Sequence, residues 1–234
     1  DLLKGSLDPD DERAVQPEEE LEAEIECQVE AATLATLPSG DGRHHAAFEQ
    51  ELRLIETMET IAQAARYQPD AKMKKLLEWI KANQCPRLGE TGAAWTDVRV
   101  IIFTEYDDTK RYLKQRLEEA IHQSDRGMDR IAIYHGPTPP ADREAIKEAF
   151  NAHPSQHPVR ILIATDAARE GLNLQAHCNQ LFHFDVPWNP SRMEQRNGRI
   201  DRKLQPRPEV VCHYFCYTQR PEDRILATLV RKTE

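Results

Sequence analysis

Residues 98–121, VRVIIFTEYDDTKRYLKQRLEEAI, decide the fold class. The first six are mostly apolar and β-branched, which is typical of a strand buried on both faces. From Asp107 onward, apolar residues recur at helical spacing among charged ones, which is typical of an amphipathic helix. A short buried strand followed by a helix is the repeating unit of a parallel sheet covered by helices.

The same alternation continues to the end of the chain. Strands are predicted at RIAIYH (130–135), VRILIAT (159–165), QLFHFD (180–185) and EVVCHYFCY (209–217). Helices are predicted at PADREAIKEAF (140–150), PSRMEQRNGRIDR (190–202) and PEDRILATLVRK (221–232). Several of the strands are apolar throughout, so the pattern predicts an α/β fold with a parallel sheet and helices on both of its faces.

The residues before this region have a different character. Residues 1–66 hold 17 acidic and 5 basic residues, whereas residues 67–234 hold 23 acidic and 26 basic residues. Helical spacing predicts one helix over 17–37, a second with a stripe from Phe48 to Ala65, and a third that Asp70 caps. We therefore expect two regions, an acidic helical linker or brace over 1–97 and an α/β domain over 98–234.

Composition narrows the class of protein. No apolar run reaches the roughly 18 residues of a membrane span. The five cysteines are scattered without a CxxC, which predicts buried free thiols, no metal site and a cytoplasmic location. The chain begins without methionine, and we expect it to be a fragment of a longer protein.

Polar residues follow four of the predicted strands. They are Thr104, His135 with Gly136, Thr165 with Asp166, and Asp185. In open α/β sheets, ligands bind beyond the carboxyl ends of the strands. We call the residues that directly follow a strand its exit. Four polar exits in register at the same edge of the sheet predict a functional surface there.

These segments, in this order, resemble the C-terminal RecA-like lobe of superfamily 2 helicases, and most closely the bacterial Swi/Snf-like ATPases. The residues that carry the resemblance are VIIFTEYDDTKRYL (100–113), YHGPTPPADREAIKEAF (134–150), ILIATDAAREGLNLQ (161–175) and FDVPWNPSRMEQRNGRIDRKLQ (184–205). The resemblance implies a RecA-like parallel sheet preceded by the acidic helical segment.

The resemblance also implies roles for particular residues. Arg199 and Arg202, three apart on one helix face, would be the arginine fingers that face ATP, and Gln195 would face the nucleotide. Gly171 and Asn173 match positions near the nucleotide sugar. The expected nucleic-acid contacts are Thr165 and, unless they merely end strands, Thr104, His135 and Gly136. Arg196 and Asp201 are expected to support the helix as surface ion pairs of little energetic weight.

The chain has no G-x-x-x-x-G-K-[ST] phosphate loop. We therefore expect the C-terminal lobe of an ATP-dependent double-stranded DNA translocase or helicase, inactive alone, with ATP and Mg²⁺ bound mainly by an N-terminal RecA-like lobe. One alternative is the lobe of an RNA-directed helicase or an RNA-polymerase-recycling ATPase. The other is a non-enzymatic module that binds nucleic acid or a protein partner.

Overall fold

The computed structural model describes residues 27, 45–65, 68–166, 173–187, 189–217, 219–220 and 223. The helices predicted at 17–37 and 221–232 lie outside these residues, except for Cys27 and Asp223. The chain divides into two compact units, one that includes residues 16–71 and one that includes residues 72–234.

The described helices are α1 His45–Ala65, α2 Ala71–Asn83, α3 Asp107–Ile121, α4 Pro140–Asn151 and α5 Pro190–Asn197. The strands are β1 Arg99–Phe103, β2 Ile131–Tyr134, β3 Ile161–Ala164, β4 Cys178–His183 and β5 Val211–Tyr214. Every strand falls within a stretch predicted from the apolar pattern or within two residues of it. Pro140 and Pro190 each lie in the first turn of their helix. Proline is tolerated there because the backbone N–H that it lacks would have no acceptor within the helix.

The five strands form one sheet in the order β2-β3-β1-β4-β5. Every neighbouring pair is parallel, as the uniformly apolar strands predicted. The β-α alternation and this strand order place helices on both faces, which confirms the expected α/β class.

Alternate residues of β1 point into two separate cores, because successive side chains of a strand project to opposite faces. Ile101 and Phe103 pack in one core with Phe150 of α4. Val100 and Ile102 pack in the other with residues of α2 and α3. Both faces of the sheet are therefore covered.

Helix α2 belongs to the unit that contains the sheet. Met73, Leu76 and Ile80 are fully buried and pack in the same core as β1. The unit that contains the sheet therefore includes residues from Lys72 onward, whereas the predicted alternation of strands and helices begins later, at Val98. Which helix belongs to this unit depends on the apolar stripe that it buries against the sheet.

Helix α1 lies in the other unit. Its apolar side chains are exposed, with Leu52 at 43%, Ile55 at 55%, Met58 at 68% and Ile61 at 64%. Within the described residues, no helix is both long enough and apolar enough to cross a membrane.

The described cysteines are all free, but they are not all buried. Cys85 and Cys178 are buried as predicted, Cys212 is half-buried, and Cys27 and Cys216 are exposed. The prediction was therefore wrong for Cys27 and Cys216, and Cys216 lies beyond the end of β5 at Tyr214.

Candidate functional site

The carboxyl ends of the strands lie in register. Phe103 pairs with Ala164 and with His183, and Tyr134 pairs with Ala164. Each of these residues is the last of its strand. The polar residues that follow them therefore meet at one edge of the sheet, which we call the carboxyl edge. This confirms the expectation that the four strand exits lie in register.

Asp185 joins the ends of β1 and β4. Thr104 donates its hydroxyl proton to one Asp185 carboxylate oxygen, and the Glu105 backbone N–H donates to Oδ1 at 2.8 Å. Burial raises the pKa of Asp185, while the Thr104 hydrogen bond and the Arg196 charge oppose that rise. The carboxylate thus holds two strand exits at a fixed separation.

Arg196 is the central cation of the carboxyl edge. Its side chain is fully buried, its Nε donates to Asp166 Oδ1 at 2.7 Å, and its Nη1 donates to the Asp185 carbonyl at 3.0 Å. Its guanidinium carbon lies 5.4 Å from the centre of the Phe103 ring. One guanidinium from α5 therefore ties together the exits of β3 and β4.

The expectation that Arg196 forms a surface ion pair was therefore wrong. The arginine that does so is Arg192, one turn earlier on α5. Its side chain is 42% exposed and its Nη1 lies 2.7 Å from Glu105 Oε1. Arg192 Nη1 also lies 3.6 Å from Asp166 Oδ2, so both arginines reach that carboxylate. Helical spacing puts both residues on one face of α5, but only the tertiary fold shows which of them is fully buried.

The structure also corrects the end of the arginine-rich helix. Helix α5 ends at Asn197, and residues 198–200 continue as tighter turns, with the Arg199 N–H bonded to the Arg196 carbonyl and the Ile200 N–H to the Asn197 carbonyl. We call Gly198–Arg202 the arginine turn. Arg199 and Arg202 therefore lie beyond the helix rather than on one helical face.

The two arginines of this turn differ in exposure. Arg199 is buried at 7% and its Nε donates to the Gln195 carbonyl at 3.1 Å, while the Gln195 side chain is exposed. Arg202 is exposed, and its Nε donates to the Gly198 carbonyl at 2.7 Å.

Asn173 reaches the arginine turn from the segment that precedes β4. Its side-chain oxygen accepts a hydrogen bond from Arg202 Nη1, and its backbone carbonyl accepts from Asn151 Nδ2 at 2.6 Å. The structure thus brings together two of the residues expected to lie near the nucleotide. Gly171 lies outside the described residues.

The residues expected to contact nucleic acid lie along the ends of β1, β2 and β3. Thr165 and Thr104 are fully buried. His135 and Gly136 are partly exposed. Because the Thr104 hydroxyl donates to Asp185, its position favours the alternative that Thr104 ends a strand and fixes a neighbour.

His135 is held by a buried lysine. Lys110 Nζ lies 3.3 Å from His135 Nδ1 and forms an ion pair with Asp107, which is fully buried. Burial, and then the positive charge of Lys110, lower the pKa of His135. The neutral ring accepts from Lys110 at Nδ1, which leaves its proton on Nε2.

Sequence reasoning missed a buried polar contact beside the arginine turn. His183 is fully buried, its Nε2 lies 2.8 Å from Asn197 Oδ1, and its ring stacks on Tyr214 at 4.7 Å. Burial lowers the pKa of His183 to about 4, against the opposing hydrogen bond to Asn197. The neutral ring therefore donates to the last residue of α5. A histidine inside an apolar strand was the only available signal.

The N-terminus of α5 is capped as the sequence predicted. The Asn189 side chain accepts from the Ser191 N–H at 3.0 Å, and Pro190 follows as the first helical residue. Asparagine at this position satisfies a donor that the helix leaves unpaired. The cap, Arg196 and Asn197 together fix the direction in which α5 presents the arginine turn.

The arrangement is suited to binding an anion beside an exposed edge. Arg202 presents a planar guanidinium, which can bind two phosphate oxygens at once and stays protonated at neutral pH. In the part of the chain that the structure describes, no three His, Cys, Asp or Glu side chains are grouped to hold a metal ion. An exposed guanidinium at this edge can therefore bind a phosphate group.

Residues 83–203 match the family model described as the helicase conserved C-terminal domain, which covers more than half of the chain. The chain is 36% identical over 136 residues to the uncharacterized ATP-dependent helicase YqhH of Bacillus subtilis, covering 58% of this chain and 22% of YqhH. It is 29% identical over 161 residues to the RNA polymerase-associated protein RapA of Vibrio cholerae, covering 69% of this chain and 14% of RapA. The chain thus spans less than a quarter of the length of these relatives.

Two solved structures share the fold. The C-terminal part of the Fun30 ATPase domain superposes with a TM-score of 0.53 at 18% identity, covering 78% of this chain and 53% of that one. The Hef helicase domain of Pyrococcus furiosus gives a TM-score of 0.53 at 17% identity, covering 90% of this chain and 38% of that one. These likenesses confirm the RecA-like fold. Together with the family match, they show that this chain belongs to the family of helicase conserved C-terminal domains, as the resemblance to superfamily 2 helicases implied.

Proposed function

We propose that this chain is the C-terminal lobe of an ATP-driven translocase or helicase that acts on double-stranded DNA. In this proposal, Arg199 and Arg202 are the arginine fingers for ATP and Mg²⁺ that an N-terminal RecA-like lobe holds. The observation that carries the proposal is the buried guanidinium of Arg196, which fixes α5 against the exits of β3 and β4. A helix whose polar side chains only face solvent would not require a buried arginine.

The chemistry of phosphoryl transfer explains why a fixed arginine matters. The transition state spreads negative charge over the oxygens of the transferred group, and the protein contributes mainly position and positive charge. An arginine finger raises the rate by roughly 10³–10⁵-fold. Arg202 is the better placed of the pair, since it is exposed while Asn173 and the Gly198 carbonyl restrict its side chain.

Arg199 has a different part in the proposal. It is nearly buried, and its Nε is bonded to the carbonyl of Gln195. Contact with a nucleotide then requires that the ligand approach the turn itself, where Gln195 is exposed and the Asn173 side chain accepts from Arg202. We therefore propose Gln195, Gly171 and Asn173 as nucleotide contacts beside the two arginines.

The nucleic-acid contacts are proposed along the ends of β1 to β3. A hydroxyl or a backbone N–H at a strand end can donate to a phosphate without reading sequence. The partly exposed His135 and Gly136 are assigned this role. Thr165 is assigned it too, but it is fully buried and must become exposed to reach a phosphate, while Thr104 acts through Asp185. Opening and closing of the two lobes over ATP would then move this edge along the duplex.

A second candidate is the lobe of an ATPase that acts on RNA or associates with RNA polymerase. The similarity to RapA, which is named for its association with RNA polymerase, favours it. The residues of the carboxyl edge are compatible with both candidate functions. The type of nucleic acid that stimulates ATP hydrolysis therefore distinguishes the two.

The test is ATP hydrolysis by the full-length parent protein, alone, with duplex DNA and with single-stranded RNA. Arg202→Ala is expected to lower kcat by roughly 10³–10⁵-fold, because the transition state loses its guanidinium. The matched control is Arg87→Ala. Arg87 is also exposed, and its Nη1 lies 3.8 Å from Glu90 Oε2. It lies in the loop after α2, outside the arginine turn.

Each outcome has a defined meaning. Stimulation by duplex DNA, lost in Arg202→Ala and kept in Arg87→Ala, supports the translocase. Stimulation by RNA alone supports the second candidate. Normal turnover in both Arg199→Ala and Arg202→Ala, with unchanged thermal unfolding, would refute the arginine-finger assignment.

A further inference from the structure

A cavity opens at the end of the sheet opposite to the carboxyl edge. It has a volume of about 330 Å³, and Asp97, His153, His177 and Arg207 are among the residues that line it. Asp97 precedes β1, and His177 directly precedes β4. We call this end the amino edge. The volume lies at the lower end of the roughly 300–1,000 Å³ of small-molecule sites.

Two imidazole rings and one guanidinium supply the donors of this cavity. The His153 and His177 rings meet edge to face at 5.2 Å. The Ser155 backbone N–H donates to His153 Nδ1 at 3.2 Å. In the neutral ring the proton of His153 is therefore on Nε2, the nitrogen that remains to donate to a ligand. Arg207 is exposed beside them.

Buried arginines beneath the cavity add positive charge. Arg99 is 1% exposed and donates to the carbonyls of Val159, Phe150 and Ala152. Carbonyl groups accept hydrogen bonds from its Nε and Nη1, but they do not cancel its charge. Burial, and then the nearby Arg160, lower the pKa of Arg99 to about 10, so it stays charged at neutral pH.

Arg160 is held in the same way. It is 4% exposed and donates to several carbonyls, among them Thr96 at 2.7 Å and Pro154 at 2.9 Å. The Asp97 carboxylate lies 3.6 Å away and is 69% exposed, so solvent screens that pair. Positive charge therefore exceeds negative charge around the cavity, and the local field attracts anions.

We propose that the amino-edge cavity binds a phosphate monoester or inorganic phosphate, with Arg207, His153 and His177 as donors. A phosphate dianion matches this set because it accepts several hydrogen bonds from cationic and imidazole donors at once. The site is separate from the carboxyl edge and does not depend on the proposed ATPase function. Its ligand is a small phosphate or the terminal phosphate of a nucleic-acid strand.

Binding has a specific signature on His177. Burial lowers the pKa of His177, and the charges of Arg99, His153 and Arg207 lower it further. A phosphate dianion in the cavity opposes these cations and stabilises the charged imidazole. The pKa of His177 should therefore rise when phosphate binds.

The experiment uses the 234-residue chain labelled with ¹⁵N. Side-chain histidine resonances are followed by NMR during titration with inorganic phosphate, at constant ionic strength set with chloride. Saturable shifts of His153 and His177, with a raised His177 pKa, are expected. Arg207→Gln should weaken phosphate binding about tenfold or more, because one charge-assisted hydrogen bond is lost.

Arg87→Gln is the matched control, because it removes the same charge from an exposed arginine that does not line the cavity. His177→Gln tests the imidazole donor independently. Equal affinities in wild type, Arg207→Gln and Arg87→Gln would overturn the site, as would shifts that never saturate.

A tetranucleotide with and without a 5′-phosphate identifies the source of the ligand. Tighter binding of the phosphorylated form than of inorganic phosphate supports the end of a nucleic-acid strand. Binding of inorganic phosphate alone supports a free small phosphate. Equal binding of both tetranucleotides would overturn the assignment of a phosphate monoester, because the diester backbone would then be the ligand.

Discussion

Replacing Arg196 by methionine is expected to lower the free energy of unfolding of the sheet unit by about 3–5 kcal/mol. Arg196 is fully buried and makes hydrogen bonds to Asp166 at 2.7 Å and to the Asp185 carbonyl at 3.0 Å. Methionine fills much of the same volume but leaves the Asp166 carboxylate buried without this cation. Two hydrogen bonds to a charged group, at about 1.5–3 kcal/mol each, give a similar range of about 3–6 kcal/mol.

The matched control is Arg192→Met on the same helix. Arg192 also lies 2.7 Å from a carboxylate, that of Glu105, but it is 42% exposed. Solvent screens such a pair, so its loss should cost about 0–1 kcal/mol. Arg192 Nη1 also lies 3.6 Å from Asp166 Oδ2, so the two variants compare a fully buried and a half-exposed arginine beside the same carboxylate.

The assay is urea unfolding of the 234-residue chain at pH 7, followed by tryptophan fluorescence. Trp79 and Trp95 pack against the core of the sheet unit, so they report its unfolding. With a urea dependence of roughly 2 kcal/mol per molar, Arg196→Met should lower the midpoint by about 2 M. Equal midpoints for the two variants would show that the buried ion pairs do not hold the carboxyl edge together. Adding Asp166→Asn to Arg196→Met should recover part of the loss, because it removes a buried carboxylate that has lost its nearest cation.

Two further predictions concern stability. His183 has a pKa of about 4 in the folded protein, below the usual 6.5. Between these two pH values the unfolded chain binds a proton that the folded chain does not. The free energy of unfolding therefore falls as the pH is lowered through this window, by about 3 kcal/mol in all. Unfolding free energies of His183→Gln measured from pH 7 to 4 should lack that loss, and parallel profiles for both proteins would contradict the buried neutral ring. A Cβ added at Gly127 would lie 2.2 Å from the Ile121 carbonyl oxygen, whereas one at Gly198 would lie 3.2 Å from that of Glu194. Gly127→Ala should therefore lower the melting temperature clearly and Gly198→Ala only slightly, since a backbone oxygen cannot move aside; similar melting temperatures would argue against the close approach at Gly127.

Local structure was predictable because it depends on neighbouring residues. The apolar runs identified every described strand, since a strand buried on both faces carries apolar residues throughout. Asn189 and Pro190 marked the start of α5, because capping involves only adjacent backbone groups. The fold class and the edge that carries the candidate site follow from this alternation alone.

The end of α5 was not predictable in the same way. The run of polar residues continues to Arg202, but the helix ends at Asn197, whose side chain meets the buried His183. That contact joins a helix to a strand 14 residues earlier. Helical periodicity carries no information about such a partner.

The amino-acid sequence by itself determined the strands, the helices that cover them and the polar residues at their exits. The tertiary structure alone decided that Arg196 is buried and Arg192 half-exposed, although both are arginines one turn apart on α5. The physical reason is the strand order, which places the exits of β3 and β4 on either side of β1. Asp166 and Asp185 thereby meet one guanidinium, and the burial of that guanidinium depends on contacts between distant segments rather than on the spacing of residues along the chain.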